Sequence, residues 1–293
     1  MNKPDYKGYA AALAGPAIWG LMPLLYHMLA QFPALEVVVQ RSLWSFLLLA
    51  FYFYVSGQAG WIRPYFKPNK EAVLVFLGAV MIGINWLVFV YAVMEGRVVE
   101  ASFGYFIYPL VAVGTGVLFL KEKLDKRSRI ALSLSACGVI IKGLSIGMVP
   151  DVSLALAVSF ALYALIRKQV KIDALKGLYV ETVWLMPLVI LYLLFNSIGG
   201  AALFLGGGLY GLFLSFICGV ITIVPLALFL RGNKTLPLSL TGFIFYINPT
   251  MQLMVGTLLL GEAFSTTDLL AFGLIWSGLL VQFARNPRHL TAR

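Results

Sequence analysis

Apolar residues fall along the chain in ten long runs, at 8–29, 34–56, 71–94, 98–120, 128–142, 148–167, 177–196, 209–230, 236–260 and 267–284, with short polar gaps between them. A hydrocarbon core about 30 Å thick asks for roughly 17–25 apolar residues in a helix. The runs therefore predict an all-α polytopic membrane protein with ten transmembrane helices, the fifth of them short. No gap is long enough to hold a soluble domain.

Positive charge sets the expected orientation. Of the 22 Lys and Arg residues, 19 fall in gaps on one side, Arg97 and Lys142 fall on the other, and Arg41 lies inside a run. Lys- and Arg-rich loops stay cytoplasmic, so both termini are expected there. Lys3 and Lys7 ahead of the first run imitate a signal peptide, but that run is a full span and others follow, so it is expected to stay uncleaved.

The chain also repeats itself. From Ala101 it reads ASFGYFIYPLVAVGTGVLFLKEK and from Thr241 it reads TGFIFYINPTMQLMVGTLLLGEA. An offset of 140 aligns Phe103 with Phe243, Ile107 with Ile247, Pro109 with Pro249, Gly116 with Gly256 and Glu122 with Glu262. The same offset aligns Arg41 with Glu181 and Trp44 with Trp184; Trp19 and Tyr163 correspond more loosely. Five spans is an odd number, so the second copy enters the membrane from the opposite side. The expected organisation is two inverted five-helix repeats, 1–144 and 145–293, around a central cavity. Inverted repeats with a midplane site belong to secondary transporters. A proline inside a span loosens the backbone and is tolerated where that backbone faces protein or a water-filled cavity, so Pro109 and Pro249 are expected to mark the cavity.

Composition agrees, with 61% hydrophobic and 12% charged residues. Soluble domains are about one-quarter charged. The net charge of +10 lies in loops rather than on one basic face, so topology explains it and no nucleic acid is expected. Cys137 and Cys218 sit inside apolar runs without metal-ligand spacing. Both are expected to be small buried side chains, with no disulfide, metal or cofactor.

Six stretches carry a resemblance: QRSLWSF at 40–46, GINWLVFVY at 83–91, EASFGYFIYP at 100–109, SFALYALIRK at 159–168, VETVWLMP at 180–187 and FYINP at 245–249. Together they resemble the drug/metabolite transporter superfamily, specifically EamA-type permeases of the RarD branch. The resemblance implies a ten-helix bacterial inner-membrane permease with two EamA repeats, exporting metabolites or drugs. The RarD branch carries a chloramphenicol-sensitivity label without an assigned substrate. The run LGGGL at 205–209, in a connection without charge, departs from the pattern.

Ionisable residues inside spans are functional candidates by default. Arg41 and Glu100 lie near the outer ends of their runs, where a pair across an outer vestibule is within reach. Glu181 lies a turn into the seventh run. Snorkelling or a structural ion pair is the competing account of each. Glu122 and Glu262 end their runs at equivalent positions. A carboxylate there opposes its own helix dipole, so each is expected to answer a positive group or a neighbouring helix N-terminus, as a gate or structural contact.

Asn85 and Trp86, Tyr105 and Tyr108 beside Pro109, and Tyr246, Asn248 and Gln252 around Pro249 offer ring faces and amides to a small molecule. Trp19, Trp44, Tyr163 and Trp184 extend the set. With 14% aromatic residues most rings are packing or interfacial belt, Trp61 and Tyr65 above all. His27, Glu100 and Glu181 are the titratable groups a proton-coupled exporter would use; exchange or uniport needs none.

The expected partners are thus the lipid bilayer and a small-molecule substrate, with the oligomeric state left open. A passive channel or facilitator is the alternative. A hydrolase rests on GLSIG at 143–147, formally G-x-S-x-G around Ser145. That signature needs a strand-to-helix elbow, or in an intramembrane protease a helix mouth with a partner histidine, and only His27 and His289 exist. ATP-driven transport and zinc proteolysis lack their motifs.

Overall fold

The computed structural model describes residues 6–30, 32–58, 60–146, 150–198 and 208–283. Its helices are α1 (Tyr6–Met28), α2 (Ala34–Val55), α3 (Lys70–Met94), α4 (Val98–Leu120), α5 (Lys126–Ile146), α6 (Asp151–Gln169), α7 (Ala174–Ile198), α8 (Gly208–Thr235), α9 (Leu238–Leu259) and α10 (Thr266–Phe283). A short 3₁₀ turn, Arg63–Phe66, joins α2 to α3. Among the described residues nine helices are long and apolar enough to cross a membrane, all but α6. The chain is a multi-pass all-α membrane protein.

Two helices are interrupted where proline removes a backbone donor. α1 breaks at Leu21, and its second piece, Met22–Met28, has Pro23 in its first turn. α9 breaks at Tyr246, just before Pro249, and ends in a π turn, Val255–Leu259. The missing Pro249 N–H would have bonded the Phe245 carbonyl four residues back. α4 keeps its helix through Pro109. Both Pro109 and Pro249 are buried, and Ser102 Oγ donates to the Pro249 carbonyl at 2.9 Å across the α4–α9 seam.

Packing follows a regular scheme. α1 packs on α8 and α6 packs on α3; α4 packs on α6 and α9 on α1; α2 packs on α8 and α7 on α3. The pairs α2–α7, α4–α9 and α5–α10 each join helices five apart in order. Close approach is bought with small residues, as in membrane bundles generally. A Cβ on Gly15 of α1 would lie 2.6 Å from the Pro225 carbonyl of α8, and one on Gly104 of α4 would lie 2.8 Å from the Ser153 carbonyl of α6.

The outer surface is apolar, with Leu118, Leu144, Leu188, Phe195, Leu258 and Leu280 exposed. The fifth helix is not short: it runs for 21 residues, because its serines and glycines, low in hydropathy, still continue the helix. Cys218 is buried but Cys137 is exposed on α5, against the expectation that both are buried. Ser145 sits in the last turn of α5 with its hydroxyl donating to the Lys142 carbonyl, a helical and not an elbow geometry. Of LGGGL, residues 205–207 lie outside the described residues.

Candidate functional site

The site is framed by α4 and α9, which run antiparallel and cap each other. At the C-terminal end of α4, Lys121 turns left-handed at φ 56° and the Glu122 N–H returns to the Gly116 carbonyl at 3.1 Å. At the end of α9, Gly261 turns at φ 72° and the Glu262 N–H returns to the Gly256 carbonyl at 2.9 Å. The two carboxylates then cross to the partner helix. Glu122 accepts from the Leu238 and Ser239 N–H groups at 2.8 and 2.9 Å, and Glu262 accepts from those of Val98 and Val99 at 3.0 and 2.7 Å. Each therefore sits at a helix N-terminus, where its charge is stabilised by the exposed amides and the positive dipole end.

Between α4, α9, α1, α2, α3 and α6 lies a cavity enclosing about 360 Å³ of empty space, its open mouth included. Trp19, Met22, Tyr26, Arg41, Asn85, Trp86, Phe89, Tyr105, Phe160, Phe245, Asn248 and Gln252 line it. Taking the end where α1 starts as the near end, most of these residues lie in the middle and far halves of their helices. α2 delivers Arg41 two turns in from its far end, buried to 4% exposure. Its Nε donates to Thr222 Oγ1 at 3.0 Å, and its guanidinium carbon lies 4.6 Å from the Trp86 ring centre and 5.6 Å from that of Tyr26.

Asn85 is tied down at both ends. Its Nδ2 donates to the Leu156 carbonyl and to Ser159 Oγ, both at 3.1 Å, while its Oδ1 accepts from the Tyr105 hydroxyl at 3.0 Å. Gln252 Nε2 donates to Asn248 Oδ1 at 2.8 Å, which leaves Gln252 Oε1 buried without a hydrogen-bond partner. Trp19, Tyr105, Phe160 and Phe245 meet edge to face or tilted and form the floor.

Toward the near end the bundle is tied shut. Tyr163 Oη donates to Glu181 Oε2 at 3.0 Å, and Arg167 Nη1 lies 3.4 Å from Glu181 Oε1, all three side chains fully buried. Arg167 Nη2 also donates to the Asp173 and Ala174 carbonyls at 3.2 Å. Lys168 Nζ donates to the Asn233 carbonyl at 2.7 Å, Asn233 Nδ2 to the Ala164 carbonyl at 3.1 Å, and Lys234 Nζ to the Val170 carbonyl.

Seven of the residues singled out from sequence thus meet at the cavity: Trp19, Arg41, Asn85, Trp86, Tyr105, Asn248 and Gln252. The others lie elsewhere. Tyr108 is sealed between Phe160 and Phe245, and Tyr246 packs on Phe106. Trp44 bonds Ser215 at 2.9 Å, and Trp184 packs on Phe66 and Phe76. Tyr163 and Glu181 belong to the near-end cluster. The prolines support the α4–α9 seam and not the cavity wall.

Glu100 does not pair with Arg41. Its carboxylate accepts from Arg97 Nε and Nη2 at 2.6 and 2.8 Å, because a neighbour three residues away on the same turn is reached at less cost than a side chain on α2. That hydrogen-bonded carboxylate raises the pKa of Arg97 above the usual guanidinium value. His27 is exposed. The lining residues Met22, Tyr26, Phe89, Phe160 and Phe245, and the buried Arg167, were not singled out from sequence. Tyr26 lies one residue from His27 and Phe245 inside FYINP, so position relative to the proline breaks was the available signal.

The family profile described as "EamA-like transporter family" matches residues 6–143. An uncharacterized transporter of Bacillus subtilis, YojE, is 40% identical over 279 residues, 94% of this chain and 93% of that protein. The chain belongs to the EamA-like transporter family. Protein RarD of Salmonella typhi is 35% identical over 95% of both chains, and protein RarD of Escherichia coli is 33% identical over 95% of this chain and 94% of that one. A crystal structure with 12% sequence identity superposes at a TM-score of 0.66 over 95% of this chain and 99% of the other, which shows a shared fold. The family and the transporter named among its relatives make the chain a membrane transporter and not an enzyme, and the Ser145 hydroxyl bonds within its helix.

Proposed function

We propose that this transporter is a secondary-active permease that exports a small amphipathic or aromatic metabolite or drug across the bacterial inner membrane by alternating access. Ten helices cross the membrane, α6 among them, in two inverted halves, 1–144 and 145–293, with both termini cytoplasmic. The packing scheme supports this reading: exchanging each helix for the one five places away turns α1–α8 into α6–α3 and α4–α6 into α9–α1. On this topology the far end is periplasmic, and the Tyr163–Glu181–Arg167 cluster at the near end supports reading the state as outward-facing with its inner gate closed.

The observation that carries the proposal is the cavity itself. It lies where α1–α4 of one half meet α6 and α9 of the other, and a buried cation, three amides and ring faces line it. Such a site moves substrate when the halves rock about it. Glu122 and Glu262 hold α4 to α9 during that motion.

Proteoliposomes containing the purified protein test the reading against a panel of radiolabelled metabolites and drugs. Saturable uptake with counterflow is the expected result. Non-saturating conductance would establish a channel instead.

A further inference from the structure

The polar inventory of the cavity is unbalanced in sign. Asn85 and the Tyr105 hydroxyl have spent their hydrogen bonds on each other, Leu156 and Ser159. Arg41 has spent one nitrogen, Nε, on Thr222, and its faces lie against Trp86 and Tyr26. Among the described residues neither Nη1 nor Nη2 has a protein hydrogen bond, and none of the four ion pairs includes Arg41. Of the carboxylates on α2 and α4, Glu36 accepts from Tyr192 at 3.2 Å and Glu100 from Arg97. Gln252 Oε1, on a side chain 1% exposed, is an acceptor without a partner in the lining of the same cavity.

A buried charge without a counter-charge is costly, and the cost is removed when a ligand supplies the opposite sign. The fork edge of a guanidinium fits a carboxylate through two parallel N–H···O bonds. The rings that fix its faces leave that edge free. We propose that the substrate of this cavity is a small carboxylate with a ring or branched apolar body, whose anion docks on the Arg41 fork and whose own N–H or O–H donor meets Gln252 Oε1. The inference rests on the permease reading and narrows its substrate to organic anions. A neutral or cationic ligand of the same body leaves Arg41 uncompensated and binds weakly.

Matched probes decide it. Phenylacetate, 3-phenyllactate, 3-phenylpropionate and indole-3-acetate are compared with the amide of each and with phenethylamine. Each is titrated against the purified full-length transporter by thermal shift and by Trp fluorescence, since Trp86 and Trp19 line the site. At least one acid is expected to stabilise the protein at a concentration about 10-fold or more below its amide. Arg41→Gln should abolish that preference while the ligand-free protein still elutes as a folded species. Arg41→Lys, which keeps the charge without the fork, should retain a weakened preference.

Amides or the amine binding as well as the acids would overturn the proposal. So would an acid preference that survives Arg41→Gln, or a screen in which no carboxylate binds. Saturable counterflow of a neutral compound would keep the permease and remove the anion. The absence of counterflow for every compound in the wider panel would remove both.

Discussion

Glu181 and Arg167 form a buried ion pair at the near end of the bundle. Both are fully buried, and Tyr163 adds a hydrogen bond. Removing one member of such a pair leaves an uncompensated buried charge, at a cost of about 3–5 kcal/mol. Glu181→Ala is therefore expected to lower the unfolding temperature sharply, and the double variant Arg167→Met, Glu181→Leu to regain most of the loss. Thermal unfolding in detergent checks both; additive losses in the double variant would show that the pair does not act as a unit. Glu181 is visible in sequence as an acid inside an apolar run. Arg167 is not, because a positive residue near a helix end looks like any loop charge. Its burial depends on Gly177, where a side chain would occupy the guanidinium's place.

At the scale of single elements, the reciprocal caps of α4 and α9 are the most legible feature of the chain. Glu122 and Glu262 align at the 140-residue offset, and a carboxylate at a helix C-terminus has to find a donor. Sequence alone does not say that the donor is the other repeat's N-terminus. That pairing needs α4 and α9 to lie antiparallel, which is a property of the assembled bundle. Glu122→Ala and Glu262→Ala each strip two backbone N–H groups of their acceptor and are expected to cost about 1–2 kcal/mol apiece. Equal losses from the two variants in a denaturation series would fit their equivalent geometry; no loss from either would mean that water replaces the caps freely. Gly104→Val is expected to be worse than either, since its side chain meets the α6 backbone and not a flexible group. Expression and gel filtration of that variant read the effect directly. The elements misjudged from sequence have the same origin: α5 was shortened because small polar residues lower its hydropathy, although an intramembrane helix tolerates them where they pack on a neighbour, as Gly138 and Gly278 do between α5 and α10.

For the whole molecule, the all-α polytopic class was legible from the apolar runs, and the family from six short stretches. The cavity was legible only in part. Arg41, Asn85, Asn248 and Gln252 stand out because polar groups inside spans are costly. Tyr26, Phe89, Phe160 and Phe245 do not, since in a chain with 14% aromatic residues nothing local separates a cavity ring from a packed one. Tyr108 and Tyr246 illustrate the converse: each neighbours a repeat proline, yet both are sealed in the core.

The central claim is that a water-filled cavity in the far half of the bundle opens to the periplasm while the near end is latched. In a Cys137→Ser, Cys218→Ala background, Asn248→Cys is exposed to a membrane-impermeant thiol reagent in right-side-out and inverted membrane vesicles. The account predicts rapid labelling from the periplasmic face, slow labelling from the cytoplasmic face, and a faster cytoplasmic rate when Glu181→Gln weakens the latch. An Asn248→Cys thiol that reacts from neither face, or from the cytoplasmic face alone, would contradict it.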